Sequence, residues 1–163
     1  MNPIVIIPTY NEKENITAML DRVMSLSEPF DVLVVDDNSP DGTAHLVKEK
    51  QIEHSRIHLL ENGEKNGLGT AYIAGFKWCL ARSYDYIFEM DCDFSHNPDD
   101  LIRMYNELRQ GHCDLVVGSR YVGNVVNVVN WPMGRVLLSY FASAYVRFFT
   151  RMKLADATAG FVG

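Results

Sequence analysis

The stretch YIFEMDCDFSHNP at residues 86–98 contains an apolar run, two carboxylates and a helix start in direct succession. We predict a β-strand over 85–90, and side-chain alternation in extended backbone lets Asp91 and Asp93 project toward the same side beyond its end. Two carboxylates placed in this way repel each other unless a cation lies between them. Oxygen ligands favour Mg2+ or Mn2+ over zinc, so the pair indicates a divalent metal site. The alternative is a solvated turn, because Asp-x-Asp is common on protein surfaces.

The same succession of strand, polar turn and helix recurs along the chain. Short apolar runs alternate with longer amphipathic stretches, which is typical of βα units and of a mainly parallel sheet flanked by helices. The predicted strands are 3–7, 31–35, 56–60, 85–90 and 114–118, and the predicted helices are 12–26, 41–53, 68–82, 98–110 and 133–150. Two helix starts, Ser39-Pro40 and Asn97-Pro98, consist of a capping side chain followed by proline. The pattern therefore predicts an α/β fold.

The composition is that of one ordinary globular domain, since the 163 residues are 47% hydrophobic and 22% charged. The net charge of -6 argues against nucleic-acid binding through a basic surface. Three widely spaced cysteines favour neither a disulfide framework nor a zinc site, and they indicate a reducing cytosol. No apolar stretch approaches the roughly 20 residues of a membrane span, so we expect any work at a membrane to be done from its surface.

Polar clusters follow the first three predicted strands, at residues 8–12, 36–43 and 64–71. In parallel sheets, ligands bind outside the carboxyl ends of the strands. The second cluster places acidic side chains where they could hydrogen-bond a ribose or a base edge, and an ordinary capped turn is an equal alternative. The third cluster could bring backbone N–H groups or Lys65 to a diphosphate, although it lacks the full dinucleotide fingerprint.

The region from 118 to 139 offers groups that bind phosphate. Arg120 follows the fifth predicted strand, Arg135 opens the last predicted helix, and Ser139 lies one turn later on the same face. Guanidinium groups bind phosphate oxygens in bidentate fashion, so the three residues indicate a receptor for a phosphate monoester. Taken singly, each arginine is better explained as a surface charge. We interpret His96, beside the Asp pair, as a turn residue rather than a metal ligand.

Taken in order, seven motifs resemble those of the family-two glycosyltransferases with the GT-A fold, and within them the polyprenol (dolichol) phosphate mannose synthases. The resemblance covers essentially the whole chain, and seven motifs in register make it specific for the family. Related synthases that use UDP-glucose or another sugar nucleotide share most of the pattern. The motifs are IIPTYNEKENI at 6–16, VVDDNSPDGT at 34–43, NGLGTAY at 66–72, EMDCDFSHNP at 89–98, VGSRYV at 117–122, NWPMGR at 130–135 with Ser139, and DATAGF at 156–161.

The resemblance implies a GT-A, Rossmann-like sheet and an inverting transfer of a sugar onto a polyprenyl (dolichyl) phosphate. Mannose from GDP-mannose is the favoured donor, a UDP-sugar is the alternative, and Mg2+ or Mn2+ is the implied cofactor. The implied site residues are Pro8, Tyr10, Glu12, Asp37 and Asp91 for the nucleotide, Asp91 and Asp93 for the metal, and Arg120, Arg135 and Ser139 for the acceptor phosphate. Of these, Asp91, Asp93 and Arg120 are the expected catalytic residues.

The sequence departs from its relatives at three places. Ser95 stands where some of them offer Gln as a further metal ligand, residues 124–129 are less glycine-rich than the usual acceptor loop, and Ala159 replaces a Gly or Ser. The chain also ends inside the last motif. We therefore expect residues 1–163 to be a single catalytic domain that is truncated at its C-terminus.

The residues fit a single in-line displacement at the anomeric carbon of the sugar. A phosphate monoester has its second pKa near ~6, so the acceptor is already ionised at neutral pH and needs no strong general base. This agrees with a chain that lacks a recognisable Ser-His-Asp or Cys-His arrangement. Positioning and charge stabilisation then remain as the contribution of the protein.

The last predicted helix, 133–150, is rich in aromatic and aliphatic residues between Arg135 and the basic residues Arg147, Arg151 and Lys153. This composition suits a helix in a lipid interface, and a core helix is the equal alternative. We expect a peripheral protein at the cytoplasmic face of a membrane, and its oligomeric state is left open.

Two further classes of protein use an α/β fold with carboxylate-bound magnesium. A sugar-1-phosphate nucleotidyltransferase would carry a glycine-rich and basic loop after its first strand, where this chain has Thr9-Tyr10-Asn11-Glu12. A receiver-like signalling module would place its Asp pair after the first strand, whereas Asp36-Asp37 follow the second. Both classes therefore rank below a glycosyltransferase.

Overall fold

A computed structural model describes residues 2–65, 67–122, 125–126, 133–151, 154 and 156–163 of the chain. The strands within these ranges are β1 (Pro3–Thr9), β2 (Asp31–Asp36), β3 (Ile57–Glu61), β4 (Tyr86–Glu89), β5 (Tyr121–Val122) and β6 (Val125–Val126). The helices are α1 (Ile16–Met24), α2 (Thr43–Glu53), α3 (Leu68–Leu80), α4 (Asp100–Arg109) and α5 (Met133–Thr150). Strands and helices alternate through the first 109 residues, as the sequence pattern predicts.

The four longer strands form one parallel sheet in the order β3-β2-β1-β4, which confirms the predicted parallel architecture. The register pairs Thr9 with Asp36 and Ile6 with Glu89. All four strands therefore end at the same edge of the sheet, where the polar clusters follow them. The short β5 and β6 form a separate antiparallel pair.

The apolar runs of the central strands are buried on both faces of the sheet. Along β1, Val5 and Ile7 face a core shared with α1, α2 and α4, while Ile4 and Ile6 face a second core under α3. Strands covered on both faces are continuous hydrophobic runs in sequence, and β1 is such a run. On α3, Gly75 allows close packing, because a Cβ at this position would lie 2.8 Å from the Ile6 side chain.

The predicted strand over 114–118 is wrong. Val117 instead makes an isolated antiparallel bridge to Val162, and Val162 makes a second such bridge to Glu89. Residues 161–163 therefore lie between β4 and residues 116–118, and the Gly118 N–H donates to the Phe161 carbonyl at 2.8 Å. The backbone of 116–118 is satisfied by a segment more than 40 residues further along the chain, which an assignment based on chain order does not anticipate.

The predicted starts of three helices also need correction. Helix α1 begins at Ile16 rather than residue 12, α2 at Thr43 rather than 41, and α4 at Asp100 rather than 98. Ser39 does not cap α2, because its hydroxyl donates to Asp36 Oδ1 at 2.6 Å. Asn97 does act near the start of α4, where its Oδ1 accepts the N–H of Asp99 at 3.1 Å. Asx and Ser side chains close turns as readily as they cap helices, so sequence alone does not separate the two uses.

Candidate active site

A cavity of about 230 Å³ opens at the carboxyl edge of the sheet. It is lined by Pro8, Thr9, Tyr10, Glu12, Asp37, Lys65, Gly67, Leu68, Ala71, Asp91, Cys92 and Asp93. Every residue predicted for the nucleotide and the metal is among them. The structure thus brings together side chains from the ends of three strands, β1, β2 and β4, and from the segment that leads into α3.

The loops after β1 and β2 are fastened to each other by side chains. Three successive backbone N–H groups of the first loop, those of residues 11, 12 and 13, donate at 3.0 Å to Ser39 Oγ, Thr43 Oγ1 and Asp41 Oδ2. The cavity wall at Tyr10 and Glu12 therefore has a fixed backbone. The sequence places these motifs at neighbouring strand ends, but it did not indicate that Asp41 and Thr43 hold the first loop.

The adjacent carboxylates Asp36 and Asp37 have different roles. Asp36 is buried and accepts hydrogen bonds from Thr9 Oγ1 at 2.8 Å and from the backbone and hydroxyl of Ser39. Asp37 lines the cavity, and its two oxygens accept from Asn62 Nδ2 at 2.6 Å and from the Gly67 N–H at 3.1 Å. Asp37 thus fixes the loop that leads into α3 while it contributes negative charge to the cavity.

Tyr10 and Lys65 form one side of the cavity mouth. The Lys65 ammonium nitrogen lies 3.7 Å from the centre of the Tyr10 ring, a cation–π contact. The Tyr10 side chain is partly exposed. A flat aromatic ring can stack with a planar base, and the cation beside it can attract a phosphate group.

The Asp pair lies directly beyond β4. Asp91 is half-buried and receives a long hydrogen bond, 3.4 Å, from the Tyr72 hydroxyl, while the exposed Asp93 accepts the Ser95 N–H at 2.9 Å. Burial raises the pKa of Asp91 and the Asp93 carboxylate adds to this, although His96, Tyr72 and Arg120 act in the opposite direction. Two close carboxylates in a partly desolvated site therefore disfavour full ionisation of Asp91.

The donor set fits a hard divalent cation. Asp91 and Asp93 offer carboxylate oxygens to the same cavity, and a cation between them would offset the burial and the repulsion from Asp93 that together raise the Asp91 pKa. Within the described ranges, no group of three or more His, Cys, Asp or Glu side chains is arranged to hold a metal. An ion held here would take its other ligands from water and from a phosphorylated substrate, which is the usual habit of magnesium.

Arg120 lies in a dense cluster of polar groups. Its Nε donates to Asp156 Oδ2 at 2.7 Å and its Nη2 to Asp156 Oδ1 at 2.9 Å, a bidentate ion pair. Nη2 also donates to the carbonyl and hydroxyl oxygens of Thr158, at 2.8 and 2.9 Å. Burial alone would raise the pKa of Asp156, but the hydrogen bonds from Arg120 hold it below its ordinary value.

The predicted acceptor residues are brought together only in part. Ser139 Oγ lies 3.4 Å from Thr158 Oγ1, so Arg120 and Ser139 meet at the Thr158 hydroxyl. The backbone of Arg135 belongs to α5, but its side chain lies outside what the structure describes. Neither Arg120 nor Ser139 lines the cavity. Their phosphate-binding role stays a prediction.

Gly160 and Phe161 connect this polar cluster to the Asp pair. A Cβ at Gly160 would lie 3.0 Å from Asp91 Oδ2, so a residue without a side chain lets the backbone approach the carboxylate. Phe161 is buried beneath Gly118, and its ring centre lies 5.2 Å from that of His96. His96 thus packs against Phe161, and its interpretation as a turn residue stays a prediction.

Three residues of this region were not identified from the sequence: Tyr72, Asp156 and Thr158. All three belong to motifs that carry the family resemblance, NGLGTAY and DATAGF. These residues could have been identified as polar side chains that stand within motifs made mostly of apolar or small residues. Spacing alone did not tell which partner each would meet.

Known proteins are similar to this chain over most of its length. The family model for glycosyl transferase family 2 matches residues 4–163. An undecaprenyl-phosphate mannosyltransferase from Micrococcus luteus is 45% identical over 99% of this chain, and a polyprenol monophosphomannose synthase from Mycolicibacterium smegmatis is 45% identical over 97%. The chain spans 65% and 59% of the length of these two curated relatives.

A solved structure of a mannosyltransferase from Pyrobaculum calidifontis, PcManGT, in complex with GDP-Man and Mn2+, superimposes with a TM-score of 0.61 at 27% identity. The match covers 71% of this chain and 34% of that protein. The family model spans nearly all residues, and the two curated relatives are similar over nearly the whole chain. The chain therefore belongs to glycosyl transferase family 2 and has the GT-A fold.

Proposed function

We propose that the protein transfers mannose from GDP-mannose to a polyprenyl phosphate with inversion at the anomeric carbon. The observation that carries this proposal is the cavity at the carboxyl edge of the sheet, where Tyr10, Asp37 and the Asp91–Asp93 pair converge. The two curated relatives are named as mannosyl transferases or synthases that act with polyprenyl lipids, which supports both the sugar and the acceptor class.

The nucleotide half of the donor is bound between the first two loops. Tyr10 offers a flat face to the base, and Asp37 and Glu12 offer carboxylates within reach of base or ribose donors. Lys65 lies at the mouth of the same cavity, where its charge attracts the diphosphate. Because Asp37 is held by Asn62 and the Gly67 N–H, this wall needs little rearrangement when the donor binds.

Asp91 and Asp93 would hold a divalent cation, which would stabilise the charge of the donor diphosphate. When bound, Mg2+ or Mn2+ supplies Lewis-acid stabilisation of the charge that develops on the leaving nucleoside diphosphate. The presence of Mn2+ with GDP-Man in the related PcManGT structure supports a divalent ion as the cofactor. The residues of this chain orient the site, since Tyr72 and Gly160 border the Asp91 carboxylate from two sides.

The acceptor phosphate is bound by Arg120, Arg135 and Ser139. A phosphate monoester is ionised at neutral pH, because its second pKa is near ~6, and an oxygen of this phosphate attacks the anomeric carbon while the nucleoside diphosphate leaves. The described residues of the cavity bind and orient the substrates, and no Ser-His-Asp arrangement is found among them. Proximity and charge stabilisation are then the sources of rate enhancement.

The protein works as a peripheral protein at the cytoplasmic face of a membrane. The acceptor is a lipid, and α5 exposes a run of large apolar side chains beside the acceptor residue Ser139. In the described part of the chain no helix is long and apolar enough to cross a membrane.

A thermal-shift panel tests the donor. GDP-mannose, UDP-glucose and other sugar nucleotides are added to the protein with and without Mn2+. A ligand at 100 times its Kd stabilises the native state by about 2.7 kcal/mol, which corresponds to a Tm rise of about 5–10 °C for a chain of this size. We expect this rise for GDP-mannose with Mn2+. A rise for UDP-glucose alone would assign the UDP-sugar alternative instead, and no rise with any donor would contradict the proposal.

A further inference from the structure

Asp156 is a buried carboxylate that the proposed reaction does not itself use. The residue is 1% exposed, and it accepts the backbone N–H of Arg120 at 3.1 Å in addition to the two guanidinium hydrogen bonds. The backbone and hydroxyl of Thr158 donate to Oδ1, both at 3.2 Å, and Ser143 Oγ lies 3.4 Å from the same oxygen. A buried carboxylate with this many donors holds its partners in one geometry.

The arrangement fixes the plane of the Arg120 guanidinium. Two parallel hydrogen bonds to Asp156 define its orientation on one edge, and Thr158 accepts from Nη2 with its carbonyl and hydroxyl oxygens. The Arg120 side chain is only 10% exposed. An arginine that served only as a surface charge would be solvated and mobile, whereas this one has lost most of its rotamer freedom already in the folded state. A ligand that binds it is spared that entropy cost.

The same short segment reaches both halves of the proposed site. Thr158 Oγ1 lies 3.4 Å from the hydroxyls of Ser139 and Ser143 on α5. Two residues later, the backbone at Gly160 lies against Asp91. Residues 156–160 therefore set the position of Arg120 relative to α5 on one side and to the Asp pair on the other.

We propose that Asp156 is a positioning residue that, together with Thr158, presents the Arg120 guanidinium to the phosphate of the acceptor. The inference rests on the proposed function, in which Arg120 receives that phosphate. Asp156 does not contact the phosphate, since two anions would repel each other. Its effect passes through Arg120.

Calorimetric titration with farnesyl phosphate, a short prenyl phosphate, tests this role in wild-type protein and in Asp156→Asn. The amide keeps the size of the side chain but presents a donor to Arg120, so the bidentate pair is lost. We expect farnesyl phosphate to bind about tenfold more weakly, while the Kd for GDP with Mn2+ changes less than about twofold. Asp31→Asn is the matched control. Asp31 is likewise a carboxylate that accepts a hydrogen bond, from Tyr84 at 2.7 Å, but it is only partly buried and lies at the amino end of β2.

Asp156→Asn in an Arg120→Lys background separates positioning from general support of the fold. Lysine cannot form the bidentate pair, so a positioning residue has nothing left to orient, and Asp156→Asn should add no further loss of affinity. A further tenfold loss in this background, or unchanged affinity in the single variant, would overturn the inference. If the wild-type protein binds no farnesyl phosphate, the proposed acceptor itself is wrong. If the wild-type protein binds it and Asp156→Asn binds it equally well, only the positioning role of Asp156 is wrong.

Thr158→Val covers the case in which Asp156→Asn does not fold. Thr158 is exposed, and valine keeps its shape while removing the hydroxyl that accepts from Arg120 Nη2. We expect farnesyl phosphate to bind a few-fold more weakly and GDP binding to stay unchanged. Unchanged affinity for farnesyl phosphate would overturn the inference.

Discussion

The aspartates at the carboxyl edge of the sheet have different roles, although their side chains are identical. Asp36 is buried with donors from Thr9 and Ser39, so it stabilises the loop. Asp91 has the long hydrogen bond from Tyr72 and a raised pKa caused first by burial and then by Asp93. Folding disfavours the ionised form of such a carboxylate, so its ionisation lowers the stability of the folded protein. Carboxylates with raised pKa values are common at functional sites.

Asparagine at Asp91 or Asp93 should abolish metal-dependent nucleotide binding without harming the fold. We expect the affinity for GDP in the presence of Mn2+ to fall about 100-fold or more, because each unit-charge pair at ~4 Å is worth about 4 kcal/mol at an effective dielectric of ~20. The Tm of the metal-free protein should stay equal or rise for Asp91→Asn, since neutralisation removes an unfavourable charge. Calorimetry and thermal unfolding measure the two effects.

Asp36→Asn is the control for that experiment. It changes a buried and fully hydrogen-bonded carboxylate, so we expect it to lower the stability of the fold by about 1–3 kcal/mol. If Asp91→Asn destabilised the metal-free protein as much as Asp36→Asn does, Asp91 would be a structural residue. If it kept Mn2+-dependent binding, the assigned metal role would be wrong.

At the scale of elements, the two loops after β1 and β2 behave as one unit. Asp41 connects them, because Oδ1 accepts the Thr43 N–H at the start of α2 and Oδ2 accepts the Lys13 N–H. Partial burial opposes ionisation, but the hydrogen bonds from Thr43 and Lys13 hold the pKa of Asp41 below its ordinary value of 3.8. The ionised form is therefore favoured by folding.

Asp41→Ala should destabilise the protein by about 1–2 kcal/mol at neutral pH, the range for loss of hydrogen bonds to a charged side chain. A folded-state pKa below the unfolded one contributes stability that is present above the unfolded pKa and is lost as pH falls through the folded pKa. The difference in unfolding free energy between wild type and variant should therefore be constant above about pH 5 and shrink below about pH 4. Denaturant titrations across this range measure it, with the exposed Asp114→Ala as control. A difference that grew on acidification would contradict the assigned role.

Helix α5 differs from the other helices in what it exposes. Of its side chains that the structure describes, only Ser143 is buried, whereas Leu138 is 71%, Phe141 64% and Phe148 79% exposed. No described part of the chain covers these side chains, so the core-helix alternative for 133–150 would need a further segment or a partner to bury them. The interfacial interpretation remains a prediction. In it, membrane lipid covers the apolar face of α5, and the proposed acceptor is also a lipid.

Co-sedimentation with vesicles that contain anionic phospholipid tests that interpretation. Phe141 and Phe148 lie two helical turns apart on one face, and replacing both with serine removes a large part of the apolar area. We expect the fraction bound to fall at least tenfold, because each buried CH2 contributes about 0.8 kcal/mol. Ile52→Ser on α2, which removes an equally apolar side chain that is 88% exposed, should bind as wild type does. Wild-type protein that stays in the supernatant would exclude the interfacial role.

At the scale of the whole molecule, the sequence predicted what depends on local pattern. The parallel sheet, the helices between its strands and the gathering of Tyr10, Asp37 and Asp91 at one edge all follow from periodicity and from the rule that parallel strands end together. The misassigned strand at 114–118 depends instead on residues 161–163, which occupy the edge beside β4. Pairing of this kind is decided by tertiary packing, here of Phe161 beneath Gly118.

The partners of Arg120 were missed for the same reason. Two arginines and a hydroxyl in the sequence indicate phosphate binding. They do not show that Asp156, 36 residues after Arg120, accepts hydrogen bonds from both Nε and Nη2 of its guanidinium. Arg120 was identified from the sequence, but Asp156 and Thr158, which hold its side chain in place, were not. Motifs show which side chains matter, and the fold decides what each one contacts.

In the proposed function, this cavity supports mannosyl transfer to a prenyl phosphate. The most direct measurement is the formation of mannosyl farnesyl phosphate from GDP-mannose labelled in the sugar, with Mn2+ and with a chelator, by wild-type protein and by Asp91→Asn. We expect a product of inverted anomeric configuration that forms only with the divalent ion and is reduced at least about 100-fold by Asp91→Asn. Equal transfer in the chelator, transfer that persists in Asp91→Asn, or a product of retained configuration would contradict it.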